Sequence, residues 1–259
     1  MLKILSEFRK AILITVLLVF SSINAFASDD VEELIKRAEN GNANAQFSLG
    51  IKYEIGQGVA KNSFKSVRWY GLAAEQGNVD AQYRLGKMYA VGRITPQDYV
   101  LAHKWYSMAA KKGHARAQLN LGVLYGKGMG VPKDLKKSVK LYTKAALQGE
   151  RVAQHNLGAM YLFGEGVAAD EEKAIKWLSS AGKKGYVHSQ HLLGIKYRTG
   201  IAGEHDSTKA LIWFSLSAAA GERDAAAYVN TIKSELGEAE LAFAEREISR
   251  LKQEIAESN

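Results

Sequence analysis

The chain has no cysteine and only 2 prolines in 259 residues. Without cysteine there can be no disulfide, thiolate metal site, cysteine nucleophile or lipid-bearing N-terminal cysteine. Two prolines beside 24 glycines do not make a loop-rich linker, which usually carries both, so the glycines must punctuate something. Long apolar runs are also missing. The most apolar stretch, residues 11–20 (AILITVLLVF), is half of the roughly 20 residues that a membrane-crossing helix needs. With 47% hydrophobic and 24% charged residues, the composition is that of a folded chain able to bury a large core.

That apolar stretch follows Lys3, Arg9 and Lys10 and leads through Ser21, Ser22 and Asn24 to Ala25-Phe26-Ala27. A basic start, a short apolar centre and an Ala-x-Ala end form a secretory signal peptide, expected to be cleaved after Ala27. The expected destination is outside the cytoplasm, in the periplasm or secreted, with no transmembrane span left after cleavage. The remaining residues carry 32 basic and 26 acidic side chains. From Ser234 onward acids outnumber bases, 7 to 3, and the body over 28–233 is net +10. A basic body with an acidic tail favours an anionic partner, or electrostatic pairing of the tail with the body.

What is abundant is repetition. Glutamine recurs at 46, 82, 118, 154 and 190, always 36 residues apart. Leu49, Leu85, Leu121, Leu157 and Leu193 keep the same step; each is followed by glycine and, four positions on, by tyrosine. A second block aligns Trp69, Trp105, Leu141, Trp177 and Trp213. A third aligns Gly41, Gly77, Gly113, Gly149, Gly185 and Gly221. Five units without insertion or deletion imply a solenoid. Ala45, Leu49 and Tyr53 are spaced as one face of a first helix. Gly50 within it costs about 1 kcal/mol in helix propensity, which makes sense where another backbone comes too close for a side chain. Gly56 and its equivalents end that helix. Asn62, Asp98, Asp134, Asp170 and Asp206 then supply short polar side chains to cap a second helix. Each unit therefore reads as a helical hairpin that needs its neighbours to cover its apolar stripe.

The expected fold is all-α: an α-solenoid of about five 36-residue hairpins over 28–233. Beyond it, Leu241, Ala244, Ile248, Leu251 and Ile255 fall three and four apart, giving an amphipathic helix over 234–259. Such a helix would cap the stack, or serve dimerisation or a partner.

The third unit runs Ala117-Gln-Leu-Asn-Leu-Gly-Val-Leu-Tyr-Gly-Lys-Gly-Met-Gly-Val-Pro-Lys-Asp134 and then Tyr142-Thr-Lys-Ala-Ala-Leu-Gln-Gly149. It resembles the Sel-one-like repeat, a relative of the tetratricopeptide repeat, and the resemblance covers about residues 38–233. Two turns depart from it, at Arg93-Ile94-Thr95-Pro96 and Ile201-Ala202-Gly203. The resemblance implies a right-handed α-solenoid, a non-enzymatic scaffold that binds a protein or peptide, with no cofactor. Exported bacterial members are similar to proteins of envelope organisation, signalling and host-cell interaction. One alternative is therefore a secreted host-interaction or virulence factor. A second alternative, a cell-wall-acting or β-lactamase-like enzyme, comes from a cysteine-rich branch whose paired cysteines this chain lacks.

Motifs for chemistry are thin. Ser180-Ala-Gly-Lys183 fits Ser-x-x-Lys, but no Ser-Asp-Asn or Lys-Thr-Gly completes that site. Gly126-Lys-Gly-Met-Gly130 resembles a phosphate loop, yet the glycines fall in the inter-helix turn and no strand precedes them. His155, His188 and His191 share helix-face columns but bring no carboxylate, so no metal is expected. The aspartate column suits capping better than a catalytic carboxylate pair. The aromatics fall on packed faces, leaving only overall charge to argue for nucleic acid, and none is expected.

In a solenoid of this kind the first helices line the concave surface. Taking Leu49, Gly50 and Tyr53 as packing positions leaves Phe47, Tyr83, Lys87, Arg116, Leu119, His155, Phe163, His188, His191 and Arg198 as the expected binding face. Aromatic, aliphatic and cationic side chains of this kind are typical of interface centres.

Overall fold

The computed structural model describes residues 30–92, 95–201 and 204–257. The expected export segment, 1–27, lies outside the described residues, as do Arg93, Ile94, Ala202 and Gly203 of the two divergent turns. Among the described residues there are thirteen helices and no strand, an all-α fold of the α-solenoid class. The chain divides into two compact units, 1–109 and 110–259.

The first unit holds α1 (residues 30–39), α2 (Ala43–Ile55), α3 (Ser63–Glu75), α4 (Val79–Val91) and α5 (Tyr99–Lys111), the last ending just past the division. The second holds α6 (Ala115–Lys127), α7 (Leu135–Leu147), α8 (Arg151–Phe163), α9 (Glu171–Lys183), α10 (Val187–Thr199), α11 (Ser207–Ala219), α12 (Arg223–Lys233) and α13 (Glu238–Glu257). Even-numbered α2 to α10 are the first helices of hairpins, and α3 to α11 the second.

Asn62, Asp134, Asp170 and Asp206 accept the backbone N–H three residues on at 2.8–2.9 Å, and Asp98 accepts that of Leu101 at 2.9 Å. Each satisfies one of the orphan amides of a helix start. The backbone N–H of every capping residue also donates to the carbonyl of the repeat tyrosine, as from Asp134 to Tyr125 at 2.9 Å. The turn is thereby tied to the first helix. Gly56 closes α2 in the left-handed conformation, at φ 81 and ψ 35. The fifth unit differs: Gly200 sits at φ 101 and ψ 142, and Ile201 and Glu204 pair as an isolated antiparallel bridge.

The glycine inside each first helix faces a side chain of the second helix, not the backbone that spacing had led us to expect. A Cβ on Gly50 would lie 2.6 Å from the Tyr70 ring. The equivalents are Gly86 against Tyr106 at 2.5 Å, Gly122 against Tyr142 at 2.7 Å, Gly158 against Leu178 at 2.7 Å and Gly194 against Phe214 at 2.7 Å. The notch admits a large side chain next to the helix axis, so Tyr70 and Phe214 are fully buried. Filling it would overpack the core, at about 1–3 kcal/mol.

Buried glutamines join successive hairpins. Nε2 of Gln46, Gln82, Gln118, Gln154 and Gln190 donates to the carbonyl eight residues back at 2.9–3.2 Å. Each meets a late carbonyl of the preceding helix, a group that helix cannot satisfy internally. At the end of the chain, Ala244, Ile248 and Leu251 of α13 are buried in one core with Leu211, Phe214 and Ile232. Leu241 and Ile255 pack against that core, half-buried.

The candidate binding face of the first helices

In the first unit, α2 and α4 present Phe47 and Tyr83 at equivalent positions, both half-buried. Behind Phe47 stands Tyr70, its ring centroid 5.6 Å away. Tyr83 lies 6.1 Å from Tyr106 in the same way. Glu54 accepts from the Tyr70 hydroxyl at 2.6 Å and from Arg84 at 2.7 Å. The Arg84 guanidinium lies over Phe47 and Tyr70 at 5.8 and 5.6 Å, within cation–π range. Burial, and the bond to the Glu54 carboxylate, push the Tyr70 phenol well above its usual pKa, so it remains a hydrogen-bond donor. Lys87 is exposed on the same helix.

In the second unit two of the three equivalent places, those of His155 and His191, hold histidine. His155 of α8 shares a 2.9 Å hydrogen bond between Nδ1 and Ser189 Oγ of α10. Its ring lies 5.0 Å from Tyr186 and 6.4 Å from the exposed His188, which meets Tyr186 edge-on at 5.5 Å. Burial, with a smaller contribution from His188, lowers the His155 pKa to about 4, so the ring is neutral near neutral pH. His191 turns the other way, edge-on to Phe214 at 5.6 Å and Tyr228 at 6.4 Å. Among the described residues, its Nδ1 is buried without a hydrogen-bond partner. The structure thus gathers His155 and His188 but not His191, and no group of three metal-ligating side chains converges among the described residues.

The remaining expected positions are scattered. Phe163 is 66% exposed at the end of α8. Arg116 is exposed and lies 3.7 Å from Glu150. Leu119 is buried, packed in a core with Tyr142 and Leu157, and so departs from the exposure expected of it. An aliphatic side chain at this column sinks towards the ring behind it, where Phe47 and Tyr83 are too large to follow. Arg198 is half-buried and bonded twice to Glu235, at 2.5 and 2.7 Å. Its charge is spent on the segment before α13, not offered to a ligand.

Sequence reasoning missed Arg84 and Tyr186. Arg84 reaches Glu54 across a 30-residue offset, the same offset that brings Gln76 to Gln46 and Gln148 to Gln118, each at 2.7 Å. That spacing has no meaning within one helix and arises only when hairpins stack. Tyr186 stands just before α10, in a column where Asn42, Asn78 and His114 cap their helices and Glu150 and Glu222 make no side-chain cap bond; its size was the available signal. Ser180 Oγ donates to the Lys176 carbonyl at 3.0 Å, an ordinary helical serine bond. The amides opening α7 are served by Asp134, which leaves the Gly126–Gly130 turn as a connector.

The Sel1 repeat model matches five consecutive segments: 43–78, 79–114, 115–150, 151–186 and 187–222. A protective antigen of uropathogenic Escherichia coli with an SLR fold is 35% identical, with a TM-score of 0.76 over 88% of this chain and 48% of that one. The chain therefore spans about half the length of that relative. A Sel1 repeat protein from Oxalobacter formigenes is 31% identical, with a TM-score of 0.68 over 81% of this chain and 87% of the other. Among curated proteins none is significantly similar in sequence. No described helix is long and apolar enough to cross a membrane. Sel1-repeat proteins are protein-interaction scaffolds, and with five repeats in unbroken succession the chain belongs to the Sel1 repeat family.

Proposed function

We propose that this chain is an exported scaffold that binds a protein or peptide on the face of its first helices, in the bacterial envelope or outside the cell. One observation carries the reading. At a single first-helix column the half-buried side chains are Phe47, Tyr83, His155 and His191, backed by the recurring notch-filling residues. Packing holds the glycine, leucine and glutamine columns constant, and this adjacent column is left to vary in chemistry. Large side chains held rigidly on a packed support make good binding anchors, since little rotamer freedom is lost on association. The export signal expected over 1–27 supports the location.

The test is in-cell crosslinking and pull-down of the full chain beside Lys87→Glu/Arg116→Glu and Phe163→Ser variants. Loss of the same partners from both variants is the expected result. Undiminished recovery from both would refute the face. A second reading, contact with host surfaces, is favoured by the 35% identity to the uropathogenic E. coli protective antigen. It requires the protein in culture supernatant, and retention in the periplasm would exclude it. We read the protein as a binder without turnover; hydrolysis of a β-lactam, abolished by Ser180→Ala, would overturn that.

A further inference from the structure

The second helices of the first unit carry a different surface. Phe64 on α3 and Val100 on α5 occupy the same position in successive hairpins and are 81% and 63% exposed. Phe64 is the most exposed large apolar side chain described. Around them lie exposed Lys61, Lys65, Arg68 and Lys104, with Arg68 and Lys104 again at one shared position.

The charge of this surface is uncompensated for a local reason. In the second unit every lysine three residues after a cap is paired with its aspartate: Lys137 with Asp134 at 3.3 Å, Lys173 with Asp170 at 2.6 Å, Lys209 with Asp206 at 2.9 Å. In the first unit the cap before α3 is the neutral Asn62, so Lys65 has no carboxylate there and lies over the Tyr53 ring at 5.1 Å. Arg68 has no acidic partner among the described residues, and Lys104 lies over Trp105 at 5.0 Å. The acids of these two helices and their caps are Asp98, engaged in capping α5, and Glu75 at the far end of α3.

We propose that this face docks on an anionic phospholipid surface. Apolar tips that stand out from a helix, ringed by cations, match the layering of such a surface. Phe64 and Val100 would reach the acyl boundary while Lys65, Arg68 and Lys104 meet phosphates. Protruding tips suit a deformable layer, whereas a folded acidic protein would have to offer pockets to receive them. This surface is separate from the first-helix face and does not depend on it.

The test is co-sedimentation of the full chain with vesicles rich in phosphatidylglycerol, against vesicles of phosphatidylcholine alone. The wild type is expected to bind the anionic vesicles selectively, and less so as salt rises. With each lost cation worth about five-fold, Arg68→Glu/Lys104→Glu should weaken binding by at least ~10-fold. Phe64→Ser should also weaken it, without shifting the thermal midpoint. Arg246→Glu/Lys252→Glu on α13, with the same net charge, should bind as wild type. All variants share one N-terminal segment, so differences between them report on this face. Equal loss in the α13 variant, or wild-type binding by Arg68→Glu/Lys104→Glu, would overturn the proposal. So would absence of vesicle binding with tight binding of soluble poly-glutamate, which would make the face a protein-docking surface.

Discussion

At the column of Phe47, the first unit places Phe47 and Tyr83, and the second places Leu119, His155 and His191. The support behind them is alike: a first-helix glycine notch filled by Tyr70 or Tyr106 in one unit, and by Tyr142, Leu178 or Phe214 in the other. What stands on the support differs. Glu54, Tyr70 and Arg84 form a bonded aromatic and charged group in the first unit. In the second, His155, Tyr186 and His188 form a ring cluster in which His155 shares a hydrogen bond with Ser189. One scaffold thus carries two chemistries, one built on a carboxylate with its tyrosine and arginine and one built on histidine rings.

The support should fail first. Phe214 and Tyr70 are fully buried, and Phe214 also stacks on Tyr228 at 4.5 Å. Replacing either with alanine should cost about 3–5 kcal/mol, read from denaturant unfolding. Similar losses in both units would establish the shared support. A cost under about 1 kcal/mol in one would end the equivalence.

Acid should act next on the histidine cluster of the second unit. His155 is held at about 4 when folded, against about 6.5 when unfolded. The unfolded chain therefore binds more protons between these values. The contribution of neutral His155 is fully present above about pH 6.5 and falls away as pH drops towards about 4. His155→Gln should flatten this part of the stability–pH curve, measured by denaturant titration at several pH values. An unchanged curve would remove His155 as its origin.

The smallest differences concern the caps. Asp134→Ala removes a cap and a lysine partner and should cost about 1 kcal/mol. Asn62→Asp would give Lys65 the carboxylate its equivalents have, a gain of only a few tenths of a kcal/mol at an exposed site. Thermal unfolding of both variants checks the order. A larger effect at Asn62 would mean that its neutrality matters to stability, not only to surface charge.

Much of the fold was legible in the sequence. A 36-residue recurrence of glycine, leucine and tyrosine could only be a stack of like units, and the caps at Asn62 and Asp134 marked where second helices start. The notch-filling residue was less legible. Trp69 and Tyr70 are adjacent, and both head aromatic columns; helical spacing alone does not say which of two neighbours points at the glycine. Tyr70 does, and Trp69 is only half-buried.

The candidate site was legible as a set of columns but not as a set of contacts. Leu119 and Arg198 read as exposed because they fall outside the packing positions of Leu49, Gly50 and Tyr53, yet one sinks into the core and the other pairs with Glu235. Local periodicity by itself determined the helices, their ends, the repeat and the family, because caps, turns and apolar stripes act within a few residues of one another. Tertiary structure alone decided which charges are spent and which are offered. Ion pairs across 30 or 37 residues depend on how hairpins stack, and no pattern along a single helix encodes that distance.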